Sequence, residues 1–240
     1  MTPVPSDVST KTAEDGQYFD SAKASVAAAC IETYLRHSTG EWAGKPFALL
    51  DWQRSIVWDI YGWRNADGSR RFREVFIALP RKNGKTTFVA ALSVLFFLFD
   101  DEPAGHVYAA AGNAEQATVV FSEARSMILA SPELSRHIEP YKRQMWCAAK
   151  AASYQVLTKS GLTKHGLNPY ATIKDELHTW KDRLLWEALR TAQGARRQPI
   201  DISITTAGYD RHSLCFEQWQ YARKVRDGVI QNSAFLPVLF

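Results

Sequence analysis

Short apolar runs bounded by turn residues alternate along this chain with longer stretches in which apolar residues recur every three or four positions. That is the rhythm of strands and helices in turn. It is clearest after residue 73, where Val75, Phe76, Ile77, Ala78 and Leu79 form a run that stops at Pro80. A Gly-Lys loop follows, and then an apolar stretch that predicts a helix over 86–99. Residues 106–111 predict a second strand, and Asn113 with Gln116 offer a capping box for a helix reaching about Ala130, ended by Ser131 and Pro132. Further strands are expected over 154–157, 170–173, 200–205 and 235–240. A helix is expected from about Trp180, carrying Leu185, Trp186 and Leu189, and another over 213–227, stopped by Gly228.

The first sixty residues read differently. Ser21 can cap a helix running to about His37, which Ser38, Thr39 and Gly40 break. Asp51 can cap a second helix with Ile56, Val57 and Ile60 on one face and Gly62 near its end. The expected organisation is a helical lead-in over 1–46 and an α/β domain over 47–240. Strands and helices in this alternation predict a mostly parallel sheet covered on both faces, with ligands bound beyond the strand C-termini.

Composition narrows the class. A 240-residue chain with 46% hydrophobic and 22% charged residues can bury its own core and does not read as disordered. The longest apolar run, 88–99, contains Ser93 and falls short of the roughly 20 residues that cross a bilayer. Residues 1–17 lack the apolar stretch of a secretory signal. Cys30, Cys147 and Cys215 lie far apart without a CxxC pair, which argues against structural zinc and predicts free thiols in a reducing compartment. A net charge of +4 is compatible with a polyanionic partner without requiring one.

Three candidate motifs follow predicted strands directly, so they can share one site. The string LPRKNGKT over 79–86 matches the phosphate-loop pattern GxxxxGK(S/T), with Leu79 in place of the first glycine. Backbone N–H groups after Gly84 can wrap a phosphate at a helix N-terminus, Lys85 can reach the β and γ oxygens, and Thr86 offers a hydroxyl toward Mg²⁺. Arg81 can neutralise charge on a transferred phosphoryl group. The competing reading is a plain turn before a helix, with Arg81, Lys82 and Lys85 solvated.

Asp175 and Glu176 place adjacent carboxylates at a strand end, one for Mg²⁺ and one to orient or deprotonate water. They also fit a simple cap for a helix starting near Thr179, and Lys174 interrupts the apolar pattern of their strand. Thr205, Thr206 and Gly208 end another strand with two hydroxyls and a glycine, suited to sensing a γ-phosphate or to nothing more than a turn. Trp52 and Gln53 offer a stacking face and an amide with the geometry to bond adenine. The competing reading is helix packing for Trp52 and solvent for Gln53.

The strings LDWQ over 50–53, PRKNGKTT over 80–87, KHGLNP over 164–169 leading into KDELH over 174–178, and TTAG over 205–208 occur together in this order. In this the chain, from about residue 47 to 240, resembles the large terminase subunit of tailed bacteriophages, in the branch typified by phage HK97. The resemblance implies a P-loop NTPase fold of the RecA/ASCE-like kind that hydrolyses ATP with Mg²⁺. It implies a homo-oligomeric ring docked on a portal protein, with a small terminase subunit as further partner. Such a ring drives double-stranded DNA, held through its backbone, into a procapsid in the cytoplasm of an infected bacterium, with no membrane involved.

By the same resemblance Gln53 falls on the adenine motif, and Arg81, Lys82, Asn83, Gly84, Lys85, Thr86 and Thr87 on the Walker A loop. Asp175 and Glu176 fall on the Walker B pair, and Thr205, Thr206 and Gly208 on the coupling motif. It also implies an arginine acting on the neighbouring subunit, for which Arg183, Arg190, Arg196, Arg197 and Arg211 are candidates. Family members carry a C-terminal nuclease. This chain ends at Phe240, so an ATPase domain without DNA cleavage is expected. Two rivals remain: a DExH-type helicase, which needs a second RecA-like lobe, and a nucleotide-dependent DNA-binding assembly module that hydrolyses slowly.

Overall fold

Alternation within single strands settles how the core is built. In strand β3, Glu74–Ala78, Val75 and Ile77 join one buried cluster while Phe76 and Ala78 join another on the opposite side of the sheet. Both faces are therefore apolar, as a parallel sheet sandwiched between helices requires. The computed structural model describes residues 16–158, 166–181, 183–206 and 210–240.

The N-terminal part comprises β1 (Tyr18–Phe19), α1 (Ser21–Tyr34), α2 (Asp51–Gly62) and β2 (Trp63–Arg64), with β1 and β2 paired antiparallel. After β3 come α3 (Lys85–Val94), which runs on as a π-helical turn over Leu95–Phe99, then β4 (His106–Ala111), α4 (Ala114–Leu129) and α5 (Pro132–Ser135). Strands β5 (Glu139–Pro140), β6 (Gln144–Cys147), β7 (Ala152–Leu157) and β8 (Pro169–Asp175) follow, then α6 (Leu184–Ala192), β9 (Ile200–Thr205), α7 (Leu214–Arg226) and β10 (Phe235–Leu239).

Eight strands form one sheet in the order β10-β3-β9-β8-β4-β7-β6-β5. Neighbours from β10 to β7 pair in parallel, and only β7-β6 and β6-β5 are antiparallel. Residues from α1 to α4 pack on one face with Val75, Ile173 and Ile202, and residues from α6 and α7 pack on the other with Phe76 and Tyr108. This is the P-loop NTPase-like α/β sheet that the sequence predicted. Ala27, Ala28, Ile31 and Leu35, which precede residue 47, are buried in the same cluster as the sheet. None of the helices among the described residues is long and apolar enough to cross a membrane.

Several expected boundaries move. Asp20, not Ser21, caps α1 by accepting from the Lys23 amide at 2.9 Å, and the helix stops at Tyr34 because Leu35 is extended. Asp51 is the first residue of α2 rather than its cap. Asn113 does cap α4, accepting from the Gln116 amide at 2.8 Å. The Gln116 side chain does not close the box; its carbonyl oxygen accepts from Thr179 Oγ1 at 3.1 Å. The helix expected from Trp180 starts at Leu184, because a 3-10 turn over Leu177–Thr179 occupies the chain first.

Lys174, out of place in an apolar strand, is fully buried and explained by its neighbour. Its ammonium lies 2.6 Å from Asp201 Oδ2 on β9, and Asp201 also accepts from Thr172.

Candidate functional site

Register brings the candidate motifs to one edge. Ala78 of β3 pairs with Thr205 of β9, Lys174 of β8 with Ser203 of β9, and Asp175 of β8 with Ala111 of β4. β9 thus lies between the strand that feeds the Gly-Lys loop and the strand that ends in the acidic pair.

The loop turns tightly because Lys82 (φ 65°) and Gly84 (φ 67°) both adopt left-handed backbone. A Cβ on Gly84 would meet nothing within 4 Å, so glycine is favoured there by conformation and not by space. Pro80 O gathers the loop, accepting from Asn83 Nδ2 at 3.3 Å and from Lys85 Nζ at 3.5 Å. Lys85 is only 7% exposed. The backbone N–H groups at the start of α3 have no carbonyl one turn earlier and are available to an anion.

A cavity of about 420 Å³ opens at this end of the sheet. Arg81, Lys82, Gly84, Lys85, Thr86 and Thr87 line one side, and Glu176, His178 and Thr179 line another, with Gln116 and Thr206 completing it. An apolar cavity of about 420 Å³ adjoins it and shares Thr206, with Leu79, Phe216 and Trp219 in its wall.

The acidic pair is held by its own backbone. Asp175 is 3% exposed; its Oδ1 accepts from the Glu176 amide at 2.9 Å, and its carbonyl accepts from Trp180 Nε1 at 3.0 Å. Burial, reinforced by the Glu176 charge, pushes the Asp175 carboxyl up to about 6, while Lys85 acts in the opposite direction. Glu176 sits in left-handed backbone at φ 48° and ψ 52°, a conformation costing about 1–2 kcal/mol for a residue with a side chain. Strain of that kind is retained where surrounding structure over-determines it, which is common at functional sites. Glu176 Oε2 is buried and makes no hydrogen bond, although His178 Nδ1 lies 3.2 Å away.

Thr205, 1% exposed, accepts from the His178 backbone N–H at 3.2 Å and is 3.1 Å from His178 Nδ1. Gly112 permits this arrangement: a Cβ on it would come within 2.8 Å of both Thr179 O and Thr179 Oγ1. His178, Thr179 and Gln116 were not singled out as site residues from the sequence. His178 stood in the KDELH string and Gln116 in a capping pattern, but neither signal pointed to the cavity.

Other candidates fall elsewhere. Gln53 is buried at the start of α2, where its Oε1 accepts from the Leu50 amide at 2.9 Å, and it does not line the cavity. Trp52 packs edge-on against Phe88 and Phe240. Asn83 closes the loop rather than lining the cavity. Arg183 pairs with Glu217, Arg190 with Glu74, Arg196 with Glu102 and Arg197 with Asp67. Arg211 is exposed and makes no ion pair among the described residues. Gly208 and the start of the KHGLNP string lie outside the described residues.

The family model for the terminase large subunit ATPase domain matches residues 51–224, more than half of the chain. The terminase large subunit of Enterobacteria phage HK97 is 30% identical over 185 residues, covering 74% of this chain and 35% of that protein. Protein YmfN of Escherichia coli K12 is 29% identical over 75 residues, 31% of this chain and 16% of that one. In fold, the chain is similar to the crystal structure of the HK97 large terminase at a TM-score of 0.76 and 23% identity, covering 91% of this chain and 44% of that one. It also matches the large terminase of a thermophilic bacteriophage, in complex with ADP, at a TM-score of 0.52 and 11% identity over 71% of this chain and 40% of that one. The chain therefore spans about a third, or less, of the curated relatives it matches.

Proposed function

Because the chain belongs to the terminase large subunit ATPase domain family, we propose that it hydrolyses ATP as the motor domain of a phage DNA-packaging terminase. The observation that carries this reading is the cavity at the strand C-termini, which joins Arg81, Lys82 and Lys85 to Glu176. Three cations and a helix N-terminus suit a triphosphate. A carboxylate oxygen left without a hydrogen bond beside it suits a group that receives a proton from water.

In this reading Lys85 and the first amides of α3 hold the phosphates, Arg81 neutralises charge on the transferred group, and Glu176 orients and deprotonates the attacking water. Thr206, on the cavity wall, senses the γ-phosphate, and Thr205 passes that state into β9. Among the described residues no group of three His, Cys, Asp or Glu side chains is placed to cage a metal. That fits Mg²⁺, which takes one or two protein ligands and keeps waters and substrate phosphate oxygens for the rest. Thr86 and Asp175 are the residues that would hold it, and the ion would supply neutralisation of the β and γ oxygens.

Family membership supports a wider assignment as well. A homo-oligomeric ring on a portal protein, a small terminase subunit as partner and duplex DNA as cargo belong to it, within the cytoplasm of an infected bacterium. Residues 47–240 would form the ATPase domain, with α1 packed onto it. Arg211, exposed and close after Thr206, is the arginine we assign to the neighbouring subunit's site, since the other four candidates are held in ion pairs within the chain.

The test is ATP turnover with Mg²⁺ or with excess EDTA, alongside duplex DNA binding across salt concentration. Turnover lost in EDTA, and DNA association that falls steeply with salt as backbone contacts demand, are expected. Turnover without Mg²⁺ would refute the metal assignment. Salt-insensitive DNA binding would favour the assembly-module reading over a motor.

A further inference from the structure

One imidazole stands between the acidic pair and the end of β9. His178 Nδ1 is 3.1 Å from Thr205 Oγ1, 3.4 Å from Thr206 Oγ1 and 3.2 Å from Glu176 Oε2. Its backbone N–H donates to the same Thr205 oxygen at 3.2 Å, so ring and main chain are both fixed to β9.

The tautomer follows from donor bookkeeping. A threonine hydroxyl has one proton, and that of Thr205 is directed at Thr206 O, 2.9 Å away. With the hydroxyl proton so directed, Thr205 Oγ1 accepts from the ring, which assigns the proton to Nδ1. That single N–H faces three oxygens, the Thr205 and Thr206 hydroxyls and a buried carboxylate oxygen that has no hydrogen bond. A carboxylate so placed is costly unless some donor reaches it, and among the described residues His178 Nδ1 is the one recorded beside it.

Left-handed backbone at Glu176 turns the chain back on itself, and the 3-10 turn over Leu177–Thr179 carries the imidazole to this position. Thr179 Oγ1 fixes the turn from the other side, its one proton lying between two acceptors, Gln116 Oε1 at 3.1 Å and Glu176 O at 2.9 Å.

We propose that His178 is a positioning residue: its Nδ1–H, directed at Thr205 Oγ1 and facing Glu176 Oε2 at 3.2 Å, holds the carboxylate at the cavity wall and ties it to the end of β9. Carboxylate, imidazole and β9 terminus then move as one unit when the cavity fills or empties. This rests on the reading of the cavity as an ATP site with Glu176 as its base. A merely space-filling histidine would need the ring but not a proton at Nδ1.

Two measurements on the full chain test it. The first is nitrogen NMR of the histidine side chains without nucleotide, the His178 signal being assigned by its loss in His178→Asn. The Nδ1–H tautomer is expected, although the free side chain prefers Nε2–H; an Nε2–H ring at position 178 would overturn the proposal.

The second compares steady-state ATP turnover in His178→Ala, His178→Gln and His178→Asn. An asparagine amide nitrogen stands near the place of Nδ1, whereas that of glutamine reaches toward the place of Nε2. We expect alanine and glutamine to lower kcat about tenfold, the loss of one hydrogen bond to a charged group, with KM for ATP little changed. Asparagine should restore most of kcat. Equal kcat for asparagine and glutamine, or a loss confined to KM, would overturn the role of His178 while leaving the ATP site standing. A wild-type chain that neither binds nor hydrolyses ATP would instead overturn the ATP reading itself.

Discussion

Asp175 has a raised carboxyl because it is buried and because Glu176 adds a second negative charge. Its folded value of about 6 exceeds the ordinary 3.8, so the folded chain holds this proton more tightly than the unfolded one. Stability from this group therefore falls as pH rises from about 4 to about 6, and the penalty is fully present above that window. Asp175→Asn should stabilise the nucleotide-free chain at pH 8 by on the order of 1–3 kcal/mol, an advantage that fades toward pH 4, while Mg²⁺-dependent turnover is lost. Thermal melts at the two pH values check this; an asparagine variant less stable than wild type at pH 8 would refute the burial argument. Lys85, Thr86 and Glu176, which line the cavity, were legible as neighbours because each stands in a short string at a strand end. His178 was not, because its contacts lie on β9, 27 residues away in sequence. Gln53 stands at a helix start, where an amide serves the backbone as readily as a ligand, and here its Oε1 accepts from the Leu50 amide.

At the scale of elements, β8 illustrates why a strand can look wrong in isolation. Lys174 breaks its apolar pattern, yet its partner Asp201 stands in another strand, and only parallel pairing of β8 with β9 brings them to 2.6 Å. Burial lowers the Lys174 ammonium from its ordinary value while Asp201 opposes that shift. Trp186 of α6 covers the pair, with Lys174 Nζ 5.1 Å from its ring centroid. Removing one partner strands a buried charge, so Lys174→Met alone should cost about 3–5 kcal/mol, whereas Lys174→Met with Asp201→Val should recover most of that loss. Chemical denaturation of the two variants distinguishes the cases, and equal destabilisation in both would show that packing, not charge, decides. The strands around the site were readable because each is five to seven residues long, apolar or alternating, and ends in turn chemistry. β5, with two residues, and β6, with four, are too short to carry a periodic signal. The start of α6 was displaced because the 3-10 turn answers to contacts with Gln116 and Thr205, which no local pattern encodes.

Across the whole molecule, the alternation of elements announced a parallel sheet, but the order β10-β3-β9-β8-β4-β7-β6-β5 depends on long-range pairing that no segment reveals alone. That order builds the candidate site, because it sets β9 between the Gly-Lys loop and the acidic pair, and Thr206 at its end is common to two cavities. In the proposed ATP reading a change in nucleotide state at this strand end would reach α7, which follows β9 and whose Ala222 and Val225 share a buried cluster with Phe76 of β3 and Phe235 of β10. We propose that this cavity hydrolyses ATP, with Lys85 holding the phosphates and Glu176 acting on water. Measuring ATP binding and turnover side by side for the wild-type chain, Lys85→Ala and Glu176→Gln tests this. Binding and turnover should both fall in Lys85→Ala, and Glu176→Gln should bind ATP as wild type does while turning it over at least about a hundredfold more slowly, the scale of a general base. Normal turnover in Glu176→Gln, or a wild-type chain that does not bind ATP, would contradict it.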